Sequence, residues 1–332
     1  MVKSTFEQHL TDLENGIEEN AFFLQNVAEV AALNFDAPSD LSRWARSTAN
    51  DADKVNSTLR QVYREWSREG KIERDQSFQP ILSELEEMYP DRQERHSVRV
   101  LVPGCGLGRL PLELAALGFI TEGNEFSYHM LFTSSFILNH IQNTNDFRIR
   151  PSLHGFSHNR TREDQLRPVL IPDVSPTILL QHEVNDDTIP EDGLLSMSAG
   201  SFDMIYRKPE GKTFNVIATV FFLDTAANIF NTLQSIYDTL EPGGIWINFG
   251  PLLWHYEDIP PDEEIQSLDQ TSESEDRSMG LEFALDDLLE LIKKFGFKFE
   301  KRESNIPCSY THAYQSMGGF IYKCEYWVAR KP

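Results

Sequence analysis

The spacing of apolar side chains changes character along the chain. Over residues 4–34 they recur at helical intervals, among them Phe6, Leu10, Leu13, Ile17, Phe22, Val27 and Val30, with Asn15-Gly16 as an interruption. That predicts two helical pieces. An Ala-Pro-Ser-Asp turn at 37–40 offers Ser39 or Asp40 as an N-cap, residues 41–66 resume the amphipathic pattern, and 75–88 predict one more helix ended by Tyr89-Pro90. From residue 98 the period shortens. An apolar strand at 99–102 runs into Gly104, Gly106 and Gly108; a helix at 109–117 carries Leu110, Leu114 and Leu117; a second strand ends on Glu125. Residues 126–141 predict a long aromatic helix, 149–176 an irregular stretch, and 198–206 a turn entering a strand or short helix. A buried strand at 214–222, a helix at 228–240, a Leu-Glu-Pro-Gly-Gly turn and another apolar strand to Phe249 follow. After a helix at 285–295, two strands at 297–302 and 320–329 close the chain, with Tyr322 and Tyr326 in phase on the second.

The glycine turn is where chemistry first enters. Glycines there let the backbone bend sharply and let a ligand approach where a Cβ would clash. Glu125 falls about twenty residues later, where an acidic side chain can accept both hydroxyls of an adenosine ribose. Nicotinamide enzymes and S-adenosylmethionine (SAM) enzymes share this spacing. The Leu-Glu-Pro-Gly-Gly approach to a strand favours SAM, because it is the usual entry to the fifth strand of class I methyltransferases. The expected fold is therefore α/β: a seven-stranded, Rossmann-like class I methyltransferase sheet closed by an antiparallel pair. Residues 1–92 form an N-terminal helical extension that caps the cofactor cleft, and 93–332 the methyltransferase domain, with an acidic surface insert at 257–278. Asp224 at the end of one strand and His255 after the next fall on the rim where open α/β sheets place ligands. In the extension, Gln61 and Arg64 lie one turn apart and Trp66 close by, a face that is either solvated or turned to the cleft.

Composition narrows the partners. The chain has 332 residues, 40% of them hydrophobic, enough for a sizeable core in one large domain or two smaller ones. A formal net charge of -22 argues against a nucleic-acid partner, whose phosphates need clustered Lys and Arg. Cys105, Cys308 and Cys324 lack metal-ligand spacing and are odd in number, so a disulfide framework is not expected. Cys105, inside the turn with no base nearby in sequence, reads as a small filler rather than a nucleophile. His154 and His158 are four apart but have no third ligand, and no metal is expected. With no leader-like start and no apolar run of membrane length, the expected compartment is the cytosol, with the nucleus open. Oligomeric state stays open, since no heptad or exposed apolar face stands out.

Several longer stretches are more specific than the glycine turn: STLRQVYREWSREGKIERDQSFQPI, LVPGCGLGRLPLELAALGF, EGNEFSYHML, RPVLIPDV, FFLDTAANI, LEPGGIWINFGPLLWH and a closing ARKP. With them the chain, from about Val55 onward, resembles the carnosine N-methyltransferase family, which methylates the imidazole of β-alanyl-histidine to give anserine. The resemblance implies SAM as cofactor and a small imidazole dipeptide as acceptor, with another histidine derivative or a protein histidine as alternatives, and a non-catalytic SAM-binding protein more remote. It implies that Gln61 and Arg64 reach over SAM, that Gly104 underlies its methionine portion, and that Glu125 holds the ribose, with Gly106 of the same turn also expected to bind the cofactor. Phe202 is similar to the aromatic beside the adenine, with Ser201 where the family has Asp and Asp203 close by. Val216 stands where a family member has Cys, leaving its backbone to serve. Asp224, His255 and Tyr322 look like the residues that hold the dipeptide. The acidic residue that class I enzymes usually carry before the first glycine is replaced here by Val102-Pro103, as in the family.

Overall fold

The computed structural model describes residues 2–34, 45–181, 193–207, 213–256, 281–310 and 316–332. The cap at Ser39 or Asp40 and the acidic insert at 257–278 lie outside the described residues.

Four helices precede the sheet: α1 (Val2–Asn34), α2 (Ala49–Trp66), α3 (Lys71–Ser77) and α4 (Gln79–Met88). The expected break at Asn15-Gly16 is absent, and α1 runs unbroken for 33 residues. Tertiary packing explains the glycine: a Cβ on Gly16 would lie 2.9 Å from both Arg150 Cδ and Leu153 Cδ1. The contact offsets a glycine's cost inside a helix, about 1 kcal/mol. Asn20 secures the same contact, donating to the Arg150 carbonyl at 3.0 Å and accepting its N–H at 2.7 Å. α2 begins at a capping box in which Thr48 and Asp51 satisfy each other's backbone N–H. The single helix expected over 75–88 is two, with Phe78 as the joint; Pro80, at the start of α4, has no N–H to continue the ladder.

The remaining elements alternate: β1 (Arg99–Pro103), α5 (Arg109–Ala116), β2 (Ile120–Glu125), α6 (Tyr128–His140), β3 (Phe147–Ile149), α7 (Arg162–Gln165), β4 (Val169–Ile171), α8 (Pro176–Leu180), β5 (Leu195–Ala199), α9 (Phe202–Tyr206), β6 (Phe214–Val220), α10 (Ile229–Thr239), β7 (Leu240–Gly250), α11 (Leu285–Lys294), β8 (Lys298–Tyr310) and β9 (Phe320–Arg330). The main sheet has seven strands in the order β5-β2-β1-β6-β7-β9-β8. β5, β2, β1, β6 and β7 pair in parallel, and β9 slots in antiparallel to β7 and β8. This is the class I methyltransferase arrangement, with β3 and β4 added as a small antiparallel pair beside it. The expected closing strand at 297–302 is longer, because pairing with β9 crosses an irregularity between Glu303 and Ile306 and continues to Tyr310. Asn305, at φ 62°, takes the left-handed conformation there, which Asn tolerates.

Both sheet faces are covered. Ile81, Leu82 and Leu85 of α4 and Leu110 and Leu114 of α5 pack on one face, and α9, α10 and α11 on the other. A third core joins Phe23 of α1 and Leu59, Val62 and Trp66 of α2 to Leu107, Leu112, Phe136 and Ile149. The N-terminal helices thus share cores with the sheet, and α2 is held directly against the glycine turn.

Candidate active site

The rim of the site is the carboxyl end of the parallel strands. After β1, Gly104, Gly106 and Gly108 have φ of 60°, 57° and 79°, a left-handed run that other residues adopt at a cost. At Gly104 a Cβ would also sit 2.6 Å from the Phe222 ring. Glu125, at the tip of β2, is buried; its Oε2 accepts the Gly106 N–H at 3.0 Å and its Oε1 accepts those of Phe126 and Ser127, each at 2.9 Å. Burial raises this carboxyl's pKa, and the three amides oppose the rise. Burial likewise pushes up the Cys105 thiol, helped by the Glu125 and Glu65 carboxylates, which fits a turn filler and not an activated nucleophile.

The loop after β5 is tied to this corner, since Gly200 donates to the Glu125 carbonyl at 2.9 Å. Ser201 is exposed at the N-cap of α9, and Phe202 is buried beside Tyr206 and edge-on to Phe222, with ring centroids 5.2 and 5.5 Å away. Asp203 turns to α10, where it accepts from Thr232 Oγ1 at 2.9 Å. Val216 does not join the rim. It lies near the start of β6, fully buried, paired with Val100 and Ile245. The cofactor assignment there is corrected by the register: β6 reaches the rim only at Val220, one residue before Phe221.

Phe221 and Phe222 form the middle of the site. Phe221 has φ 51°, a conformation that costs a bulky residue roughly 1–3 kcal/mol and that concentrates at functional sites. Its N–H donates to the Phe249 carbonyl at 2.9 Å, which holds the bend. The bend sends successive rings to opposite sides: Phe222 toward Gly104 and Phe202, and Phe221 toward Tyr310 and Tyr322, at 5.0 and 6.0 Å. A short 3-10 turn, Leu223–Thr225, then buries Asp224. Leu253 donates its N–H to Asp224 Oδ2 at 2.9 Å, and the His255 N–H reaches the Asp224 carbonyl at 3.0 Å, so the loop after β7 folds onto this turn. Burial raises the Asp224 pKa, opposed by the Leu253 hydrogen bond and by His255. The His255 side chain is exposed, and neither its ring nor the half-buried Tyr322 hydroxyl makes a hydrogen bond among the described residues. Burial, and then Tyr310 and Asp224, raise the Tyr322 pKa, which puts that phenol within the field of Asp224.

α2 roofs both sides. Gln61 Nε2 donates to Glu65 Oε1, and it would lie 3.0 Å from a Cβ on Gly106. Arg64 is buried on the other side, its guanidinium 4.3 Å from the Tyr310 ring centroid and 5.3 Å from that of Phe221. The roof is bolted down by charge. Asp173 Oδ1 accepts from Arg109 at 2.6 Å and its Oδ2 from Arg74 at 2.5 Å, Arg109 also reaches the Glu65 carbonyl at 3.1 Å, and Trp66 Nε1 reaches the Leu107 carbonyl at 3.3 Å.

With this geometry in place, the kinship of the chain is decided by sequence. A family model described as carnosine N-methyltransferase matches residues 41–332. The chain belongs to the carnosine N-methyltransferase family. Carnosine N-methyltransferase of Mus musculus is 38% identical over 283 residues, which is 85% of this chain and 64% of the mouse protein. That of Schizosaccharomyces pombe is 36% identical over 329 residues, 98% of this chain and 84% of the yeast protein. That of Dictyostelium discoideum is 41% identical over 278 residues, 83% of this chain and 54% of its own length. The chain therefore spans less than two thirds of the mouse and Dictyostelium relatives.

As a carnosine N-methyltransferase family member with a class I sheet, this chain implies a SAM site, and its residues fit one. Glu125 Oε2 accepts the Gly106 N–H and keeps a lone pair for a ribose hydroxyl. Buried Arg64 is ion-paired with Glu73, its Nε 3.5 Å from the carboxylate and without a hydrogen bond, so an anionic group such as the methionyl carboxylate would share that cation. The family sequence reading missed Tyr310, Phe221 and Glu65. Tyr310 was out of reach because the strand was ended at Arg302, before the polar Glu303-Ser304-Asn305 run across which pairing continues. Glu65 carried a signal: it lies one turn after Gln61 and one residue after Arg64.

Proposed function

We propose that this chain is a SAM-dependent N-methyltransferase that methylates the imidazole ring of a small histidine-containing dipeptide, carnosine being the acceptor and the Nδ1-methylated product, anserine, the outcome. The observation that supports this best is the placement of the buried Asp224 carboxylate beside Tyr322 and His255, one aromatic wall away from the glycine turn. SAM bound at that turn supplies a methyl group already activated as a sulfonium. Gly104, Gly106 and Glu125 hold and orient it, Gln61 and Arg64 close over it from α2, and Phe202 lines the adenine side.

The rest of the work is positioning the acceptor. Asp224 accepts a hydrogen bond from one ring N–H of the imidazole, which fixes the tautomer and leaves the Nδ1 lone pair free toward the donor. The same carboxylate stabilises the positive charge that grows on the ring, and its burial makes that interaction stronger than it would be in water. Phe221 and Tyr310 offer ring faces to a flat acceptor, and His255 and Tyr322 keep a ring nitrogen and a hydroxyl for its polar groups. α2 shields the junction from water. All three cysteines are unbridged, which suits a reducing compartment such as the cytosol or nucleus.

The test is a mass-spectrometric assay of purified protein with SAM and, side by side, carnosine, homocarnosine, free histidine and a histidine-containing peptide. Gain of one methyl on carnosine in preference to the peptide is the expected result. Methylation of the peptide alone, or of none of these while SAM binds, overturns the choice of acceptor.

A further inference from the structure

The strand that leads into the glycine turn lacks the acidic residue usual for a class I sheet, having Val102-Pro103 instead. A buried carboxylate reaches the turn from elsewhere. Glu65, only 3% exposed near the end of α2, accepts the Leu107 N–H through Oε1 and the Arg109 N–H through Oε2, each at 3.2 Å. Gln61 donates to Oε1 as well. Both backbone donors belong to the glycine turn and the first residue of α5, the segment on which the cofactor rests. The fit is close: a Cβ on Gly106 would lie 2.5 Å from Glu65 Oε1. The neighbouring backbone is clamped too, through the Glu65 carbonyl to Arg109 and the Trp66 indole to the Leu107 carbonyl.

We propose that Glu65 is a positioning residue for the cofactor, the carboxylate that shapes the glycine turn from the roofing helix in place of one on the strand. The inference rests on the SAM reading above. It makes α2 part of the cofactor site in two senses: Gln61 and Arg64 face the ligand, and Glu65 holds the loop under it. Two amide N–H groups that point into the protein are satisfied by a single side chain, so the turn keeps its shape before the cofactor arrives. Burial raises this carboxyl's pKa, opposed by Arg64 and by the Gln61, Leu107 and Arg109 donors.

Glu65→Gln is the informative change, because an amide must set its NH2 against the Arg109 N–H or against the Leu107 N–H and Gln61. The expected result is at least a tenfold loss of S-adenosylhomocysteine affinity by calorimetry and a matching rise in the KM for SAM. The KM for the acceptor and the kcat at saturating SAM change less than threefold, a split that general destabilisation does not produce. Glu65→Asp, which keeps the charge but shortens the reach, falls between the two. Unchanged affinity in a folded Glu65→Gln protein, or equal loss in every parameter, overturns the proposal. Should Glu65→Gln not fold, hydrogen exchange in the wild-type protein decides: the Leu107 and Arg109 amides are expected to be protected without ligand, and fast exchange at both overturns the proposal. Failure of the wild-type protein itself to bind SAM is a different result, which refutes the functional reading and not the role of Glu65 in the turn.

Discussion

The two halves of the rim are built by different means. On the cofactor side, the turn after β1 and the tip of β2 are joined by backbone amides that converge on two buried carboxylates, Glu125 and Glu65. On the proposed acceptor side, the walls are rings, Phe221, Tyr310 and Tyr322, around one buried carboxylate, and the His255 ring and Tyr322 hydroxyl make no hydrogen bond among the described residues. The first half is held in shape by the protein's own contacts before any ligand binds. The second is a sticky, aromatic opening that gains its polar order when the acceptor supplies it. The difference predicts that damage to the cofactor half is measured in affinity, and damage to the acceptor half in turnover and choice of acceptor.

The largest effect expected from this contrast is at Glu125. Glu125→Ala removes the acceptor for ribose and leaves the N–H groups of Gly106, Phe126 and Ser127 without theirs. Loss of a charged hydrogen bond, about 1.5–3 kcal/mol, corresponds to roughly ten- to hundredfold weaker S-adenosylhomocysteine binding, readable by calorimetry. An affinity within twofold of wild type breaks the comparison at its stronger end. A smaller effect is expected at Tyr322→Phe, which removes one hydroxyl and keeps the ring: a rise of roughly two- to tenfold in the acceptor KM, from a neutral hydrogen bond of about 0.5–1.5 kcal/mol, with SAM affinity unchanged. A shift in SAM affinity instead would move Tyr322 to the other half.

The smallest effect is on stability, and its sign is informative. Burial raises the Asp224 pKa, so the folded protein holds that proton more tightly than the unfolded chain does. Between the ordinary carboxylate value, about 4, and the raised folded value, stability falls as pH climbs, and the loss persists at neutral pH. Asp224→Asn removes this charge while its amide oxygen can still accept the Leu253 N–H. The variant is therefore expected to melt a few degrees above wild type at pH 7, with the gap closing as pH falls toward about 4, a trade of stability for activity. A lower melting temperature at pH 7 would show that the charge is held by contacts stronger than the Leu253 hydrogen bond.

The same contrast governs what could be read from the sequence. The floor of the cofactor half is local: three glycines, a helix and Glu125 fall within 28 residues, 98–125, and each follows from backbone requirements that only certain residues meet. The acceptor half gathers Phe221, Asp224, His255, Tyr310 and Tyr322, which the chain separates widely; strand-end position flagged Asp224 and His255, and only the family resemblance pointed to Tyr322. Tyr310 hid behind a polar run that reads as a strand end, until pairing with β9 carried it across. Val216 was matched to a family cysteine by resemblance, and the match does not say which end of the buried strand reaches the rim, where the register puts Val220 instead. Gly16 misled in the opposite direction, since a helix breaker in isolation became a contact point for Arg150 and Leu153 once the fold was closed.

The most direct test of the account is Asp224→Asn, assayed for turnover of carnosine and for S-adenosylhomocysteine affinity on the same preparation. The account predicts a kcat lower by roughly a hundredfold, the scale seen when a single group that stabilises developing charge is removed, with cofactor affinity within twofold of wild type. Equal losses in kcat and cofactor affinity, or full turnover, would contradict the claim that this carboxylate presents the acceptor ring to the methyl group.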